Sequence, residues 1–336
     1  MLVVEAQNQL SLNQDVSLKD YFLSTIIPNP SDINLYRMEN YVSACLNESS
    51  VNKKELSPIN KLAEIANFFL QDNITWIAPL NIAEGSGEAP ATSFSSQLKK
   101  WEIYCNNPRD LDPLIHTLMS SLYLTAFSPL SSMNAPISQI FLQTQLMRPV
   151  LGSPYPCIQL GGPARLEQSG GIIDHSVRNR NIDWQSCLSY HLNELCRSFT
   201  LTMELTNALE RLFRQTRDHL LRLGLPNHVD FLPAIFEYPA TRTGEFAGFT
   251  GTRRQVASHI LNDYVQADIL TKEENGRDKI FYNRRLIELL ENDHYLFEPF
   301  SYQLERFEPA WQKGTPGRVR KEPVIDIQDR LASLND

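Results

Sequence analysis

"LTAFSPLSSMNAPISQIFLQ", residues 124–143, is the stretch on which the reading of this chain turns. Upstream, "LDPLIHTLMSSLYLTAF" (111–127) carries apolar residues at helical spacing, and downstream "APISQIFLQTQLMRPVL" (135–151) resumes that spacing. Between them Pro129, Pro136 and a run of serines interrupt the pattern, because proline lacks the N–H an inner turn needs and serine competes for backbone groups. The expected arrangement is two core helices joined by a polar loop.

Working outward, the first 30 residues read as irregular, with "IIPNPSD" supplying two prolines. Ser31 or Asp32 then caps a helix over "INLYRMENYVSACL", whose inner stripe is Ile33, Tyr36, Met38, Tyr41, Val42 and Cys45. A second helix is expected over "SPINKLAEIANFFLQD", with Ser57 as cap and Pro58 in its first turn. "EGSGEAPATS" reads as turn, and a helix follows over "FSSQLKKWEIYCNN". Past a glycine-rich break, "LGGPARLEQSGG", a long helical pattern runs through "NIDWQSCLSYHLNELCRSFTLTMELTNALERLFRQTRDHLLRLG". The C-terminal third reads as helix, turn, helix and a small hairpin closed at Asn275-Gly276. The fold class is therefore mainly α.

Composition narrows the function. In 336 residues, 42% are hydrophobic and 21% charged, enough for a sizeable core. No apolar run of about 18 residues occurs and the N-terminus lacks the pattern of a signal peptide, so a cytoplasmic protein without membrane contact is expected. The five cysteines are scattered and read as buried free thiols, with neither disulfides nor a metal site implied. No dinucleotide fingerprint, P-loop or zinc-protease motif is found, and no cofactor is expected. The net charge of −8 argues against a broad nucleic-acid surface while leaving room for a local basic patch.

The order of elements from about Ser93 to Leu151 resembles the core of Fic-domain proteins, and "DWQSCLSYHLNELCRSF" is similar to a D-W-x-x-F helix downstream in that family. The family carries H-P-F-x-[DE]-G-N-G-R-x-x-R in the loop where this chain has "SPLSSMNAPISQ". Ser128 stands at the histidine, Pro129 at the proline, Leu130 at the phenylalanine and Ser132 at the acidic residue. Met133 and Ala135 flank the matching Asn134 in place of glycines, and Pro136 and Gln139 occupy the two arginine positions. The resemblance implies a helical Fic-like fold over roughly residues 30–292 with a winged-helix-like segment at its end. It also implies a lost chemistry. The family's histidine is the general base, its acidic residue holds Mg²⁺, and its glycines and arginines bind phosphate oxygens. Serine, methionine, alanine, proline and glutamine supply none of these functions. Neither Glu48 nor Glu84-Gly85 matches the family's inhibitory [ST]-x-x-x-E-[GN] pattern.

Two readings of the loop stand side by side: a turn kept to join two helices, or a cleft holding a neutral, non-phosphorylated small molecule. Ser131, Ser132, Asn134, Ser138 and Gln139 are its candidate ligand-binding residues. If catalysis persists, the candidates are Ser128 and His175, the latter following Asp174 in a glycine-flanked loop beside Arg178 and Arg180. His116, on the helix leading into the loop, reads as a packed residue. In "GTRRQVASHILNDYVQADIL", Thr252 is expected to cap and Val256, Ile260, Leu261, Tyr264 and Val265 to face inward. Arg253 and Arg254 would serve DNA contact, with Lys272, Arg277 and Lys279 on the wing. Because Asp263, Asp268, Glu273, Glu274 and Asp278 interleave with them, scaffolding or a homodimer contact is preferred. The expected division is an N-terminal helical region (1–92), a Fic-like core (93–225), a winged-helix-like domain (226–295) and a tail (296–336). The first functional expectation is a repurposed small-molecule cleft; the second is an inactive pseudoenzyme acting through its terminal domain.

Overall fold

A computed structural model describes residues 1–10, 15–27, 32–49, Pro58, Asn60, Leu62, Ile65, 89–108, 111–126, 134–147, 151, 156–157, 184–225, 230–275, 278–292 and 294–300. Helices dominate: α1 (Leu2–Gln9), α2 (Leu18–Ser24), α3 (Ile33–Ser49), α4 (Ala89–Asn106), α5 (Pro113–Ala126), α6 (Asn134–Leu146) and α7 (Trp184–Arg222). They are followed by α8 (Phe231–Glu237), β1 (Ala240–Arg242), α9 (Thr243–Thr250), α10 (Arg254–Gln266), β2 (Thr271–Asn275), β3 (Asp278–Tyr282) and α11 (Arg284–Glu291). The fold is mainly α, as expected.

Within the first 30 residues, expected to be irregular, two segments are helical, Leu2–Gln9 and Leu18–Ser24. α1 and α2 are too short to hold alone, and tertiary burial makes them helical: Leu2, Val4 and Ala6 of α1 sit in one core cluster with Met38 and Tyr41 of α3. Ser17 caps α2, its hydroxyl oxygen accepting from the Asp20 N–H at 3.0 Å. In α3, Asp32 Oδ1 accepts from the Asn34 and Leu35 N–H groups, but the inner stripe is Leu35, Met38, Tyr41 and Cys45, and Ile33 is 70% exposed. α4 begins at Ala89, so "APATS" joins the helix and is not a turn. In the expected second helix, Pro58, Asn60, Leu62 and Ile65 are helical, with Leu62 and Ile65 buried; its remainder lies outside the described residues.

Asp112 opens α5, its carboxylate accepting from the Leu114 N–H at 2.8 Å ahead of the first-turn Pro113. Trp101 then binds three helices together. It is fully buried, its Nε1 donates to the Ser120 carbonyl at 2.9 Å, and its ring meets Phe141 edge-on at 5.4 Å. α7 is one continuous helix of 39 residues, about 58 Å at 1.5 Å per residue. Leu195, Leu205 and Leu220 along it belong to three different core clusters, which makes α7 the spine of the molecule. It ends at Gly224, whose φ of 62° is the left-handed conformation that lets the Leu225 N–H reach back to the Leu220 carbonyl.

The three strands form an antiparallel sheet in the order β1-β3-β2. The hairpin is present, but Asn275 pairs with Asp278, so Gly276 and Arg277 are the two linking residues. β1 escaped the sequence reading because three residues are too few for a period. Ala240, Ile280 and Tyr282 of the sheet and Leu286 to Leu290 of α11 share a core cluster with α1 to α3. The N-terminal helices are thus packed against the sheet and α11. Two polar contacts reinforce this: Lys19 Nζ lies 2.6 Å from Glu273, and the Leu18 N–H donates to Glu291 at 2.7 Å.

Candidate functional site

α5 and α6 pack closely against each other, and the candidate loop joins them. Ser128, Ser131 and Ser132 of that loop, and His175, lie outside the described residues. Asn134 begins α6. From Ile137 to Thr144 every residue of α6 is buried, so over this stretch the helix has no solvent face. Apart from His116 and Tyr123, neither α5 nor α6 carries an ionisable acid or base: the sequence "PLIHTLMSSLYLTA" faces "NAPISQIFLQTQL". The tyrosine in α5 is Tyr123, whose proton burial holds more tightly than usual.

Within this uncharged pair, Ser138 is fully buried and its carbonyl accepts from Ser121 Oγ at 3.1 Å, which fastens α5 to α6 near the loop. Gln139 is 7% exposed and its Oε1 has no hydrogen-bond partner. One turn further, Gln143 is completely buried; its Nε2 donates to the Cys157 carbonyl at 3.0 Å while its Oε1 also lacks a partner. Residues four apart share a helix face, so two amides with unused acceptors line one side of α6. A buried carbonyl-type oxygen left without a donor costs about 1–3 kcal/mol. Sequence reasoning found Gln139 by its position in the motif and missed Gln143, which the i+4 spacing alone could have revealed.

His116 is accounted for by packing. Its Nε2 donates to the Tyr104 carbonyl at 3.0 Å and its ring lies 4.8 Å from the Tyr104 ring. Among the described residues His191 on α7 is lowered to about 4 by burial and set edge-on to Tyr190. Of the thiols, Cys45 and Cys157 are buried, Cys105 is half-buried and pushed up to about 11 by burial, and Cys196 is exposed. Among the described residues no group of three or more potential ligands could hold a metal ion, and no helix is long and apolar enough to cross a membrane.

The C-terminal unit is built by α8 to β3. Gly251, at φ 65°, ends α9 and turns the chain within three residues into α10. Thr252 does not cap α10: its hydroxyl pairs with Thr250 at 3.0 Å, and Arg253 takes the capping position without a side-chain bond. Ile260, Leu261 and Tyr264 face the core as expected, but Val256 is 46% exposed. Residues 228–286 match the family model of the C-terminal domain of SoFic-like protein adenylyltransferases. That range runs through α8, the sheet, α9 and α10 into α11, less than a fifth of the 336-residue chain. It supports a Fic-family relation, reached from a segment that does not contain the Fic signature loop. The acidic residues of this domain are largely engaged: Asp263 is buried, Asp268 pairs with Arg285 at 2.5 Å, Glu273 with Lys19, and Glu274 with Lys272 at 3.2 Å.

Proposed function

We propose that this is a Fic-related protein that does not transfer AMP and whose α5–α6 region binds a neutral, non-phosphorylated small molecule. The observation that carries the reading is Gln139: a buried amide with an unused acceptor, at the position where the resemblance places a phosphate-binding arginine. A ligand hydroxyl, amide or amine hydrogen donated to Gln139 Oε1 would satisfy it, and Gln143 Oε1 offers a second acceptor on the same face. The lack of charge on both helices supports the same choice, since a triphosphate placed there would meet no lysine or arginine of either helix. At the loop, Ser128 is too weakly basic to replace histidine, Ser132 is a poor Mg²⁺ ligand, and Pro136 has no N–H to offer a phosphate. Ser128, Ser131, Ser132 and Asn134 would complete the polar lining, with His175 as the acid–base group if a reaction follows binding.

Residues 226–295 are read as a winged helix, with α9 and α10 as the helix pair and β2–β3 as the wing. A second reading, an inactive protein acting by contact through this domain, is favoured by the free outer face of α10. Thermal denaturation with a panel of uncharged metabolites tests the first reading. A ligand at 100 times its dissociation constant adds about 2.7 kcal/mol, and Gln139→Leu should remove that gain. If no neutral compound stabilises the protein, or if Gln139→Leu leaves the gain intact, the cleft reading fails.

A further inference from the structure

The outer face of α10 has a composition unlike the rest of this acidic chain. Arg253, Arg254, Gln255, Val256 and His259 are all exposed, and Ser258 and Asn262 are half-exposed. Gln255, Ser258, His259, Asn262 and Gln266 follow i, i+3 and i+4 steps and so form one stripe, opposite the buried Ala257, Ile260, Leu261 and Tyr264. The helix contains one acid, Asp263, and it is buried. Among the described residues Arg253 and Arg254 have no ion-pair or side-chain hydrogen-bond partner, whereas Arg214, Arg217, Arg284 and Arg285 are each paired with a carboxylate. In a protein of net charge −8, two arginines left unpaired beside an acid-free stripe form a local positive face.

We infer that this face of α10 binds duplex DNA, with the helix in the major groove, Arg253 and Arg254 on backbone phosphates, and the stripe of Gln255, His259 and Asn262 toward the base edges. The dimensions agree: 13 residues span about 20 Å, and an α-helix fits a major groove about 12 Å wide. Glutamine, asparagine and arginine are the side chains whose paired donors and acceptors match base edges, and Val256 offers an apolar contact of the kind thymine methyl groups make. Lys279, exposed on β3, adds a further cation on the hairpin. Glu245, the acid of α9, is occupied, accepting from the Arg242 N–H at 3.0 Å. A protein partner recognised by this face would have to be acidic, and a second copy of this chain is the nearest such partner.

The inference is independent of the α6 cleft, and its test does not depend on that reading. Fluorescence anisotropy of a labelled random-sequence duplex, titrated with the full-length protein at several salt concentrations, measures the contact directly. Binding is expected at dissociation constants on the order of 10⁻⁴ to 10⁻⁶ M, weakening as salt rises. Arg253→Glu with Arg254→Glu should reduce affinity at least tenfold and make the log–log salt slope shallower by about 1.8, while the melting temperature stays unchanged. Arg214→Glu, on α7, should leave binding as it was. Absence of binding at low salt would overturn the inference, as would binding indifferent to the double charge reversal. Concentration-dependent dimers that the double variant abolishes, without DNA binding, would reassign the face to self-association and equally overturn it.

Discussion

Gln139 is where sequence and structure make the sharpest demand. Its Oε1 is buried and lacks a partner, so replacing it with leucine of similar volume should raise the stability of the ligand-free protein by about 1 kcal/mol in urea denaturation. A site kept for packing alone gains from that exchange; a binding site gains stability and loses its ligand. His191 offers a second test at the same scale. Burial lowers its folded pKa to about 4, against about 6.5 for a free histidine, so the folded state prefers the neutral ring. The associated stability is fully present above about pH 6.5 and is lost as pH falls from there toward 4, up to a few kcal/mol. His219 shifts in the same direction, first through burial, and reinforces the trend. Melting temperatures recorded from pH 7 to 4.5 should fall in the native protein, and His191→Phe should flatten the curve.

At the scale of elements, the Trp101 junction carries more of the architecture than its place near the end of α4 suggests. Trp101→Ala empties a fully buried site shared by α4, α5 and α6 and should cost about 3–5 kcal/mol, read as a lower denaturation midpoint. Trp101→Phe keeps most of the volume, leaves the Ser120 carbonyl without its donor, and should cost less. These elements also show what was legible beforehand. α3, α5, α6 and α7 announced themselves through helical spacing, and α3 also through its cap at Asp32, because long amphipathic helices encode their packing locally. α1, α2 and β1 were not legible: each is too short for a period, and what makes them regular is burial against partners far along the chain. The inner stripe of α3 was legible at Met38, Tyr41 and Cys45 and failed at Ile33, which is exposed. Ile33 lies at the first turn, where hydrophobicity says little about which way the core lies. The candidate site was legible as a motif position at Gln139, whereas the burial that leaves its oxygen unpaired, and the acid-free face of α10, depend on which side of each helix the core takes.

The N-terminal helices are held against the sheet and α11. α2 touches the sheet through Lys19 and Glu273, whose carboxylate also accepts from Tyr282 at 3.0 Å, and its first turn is met by Glu291 at the end of α11. Glu273→Gln should cost no more than about 1 kcal/mol, since both side chains of the pair remain more than a third exposed, and its effect should shrink in high salt. Removing residues 1–24 should do far more, because it exposes Ile280, Tyr282 and the inner face of α11 in the shared core; a lower melting temperature with early hydrogen exchange in β3 is the expected result. The family match to residues 228–286 supports a Fic-family relation, and on the proposed reading uncharged side chains have taken the place of the family's phosphate and metal chemistry. Isothermal titration of the purified protein with ATP–Mg²⁺ tests that claim most directly. No heat of binding at millimolar nucleotide is the predicted result; saturable binding that falls when Ser132 or Asn134 is changed to alanine would contradict it.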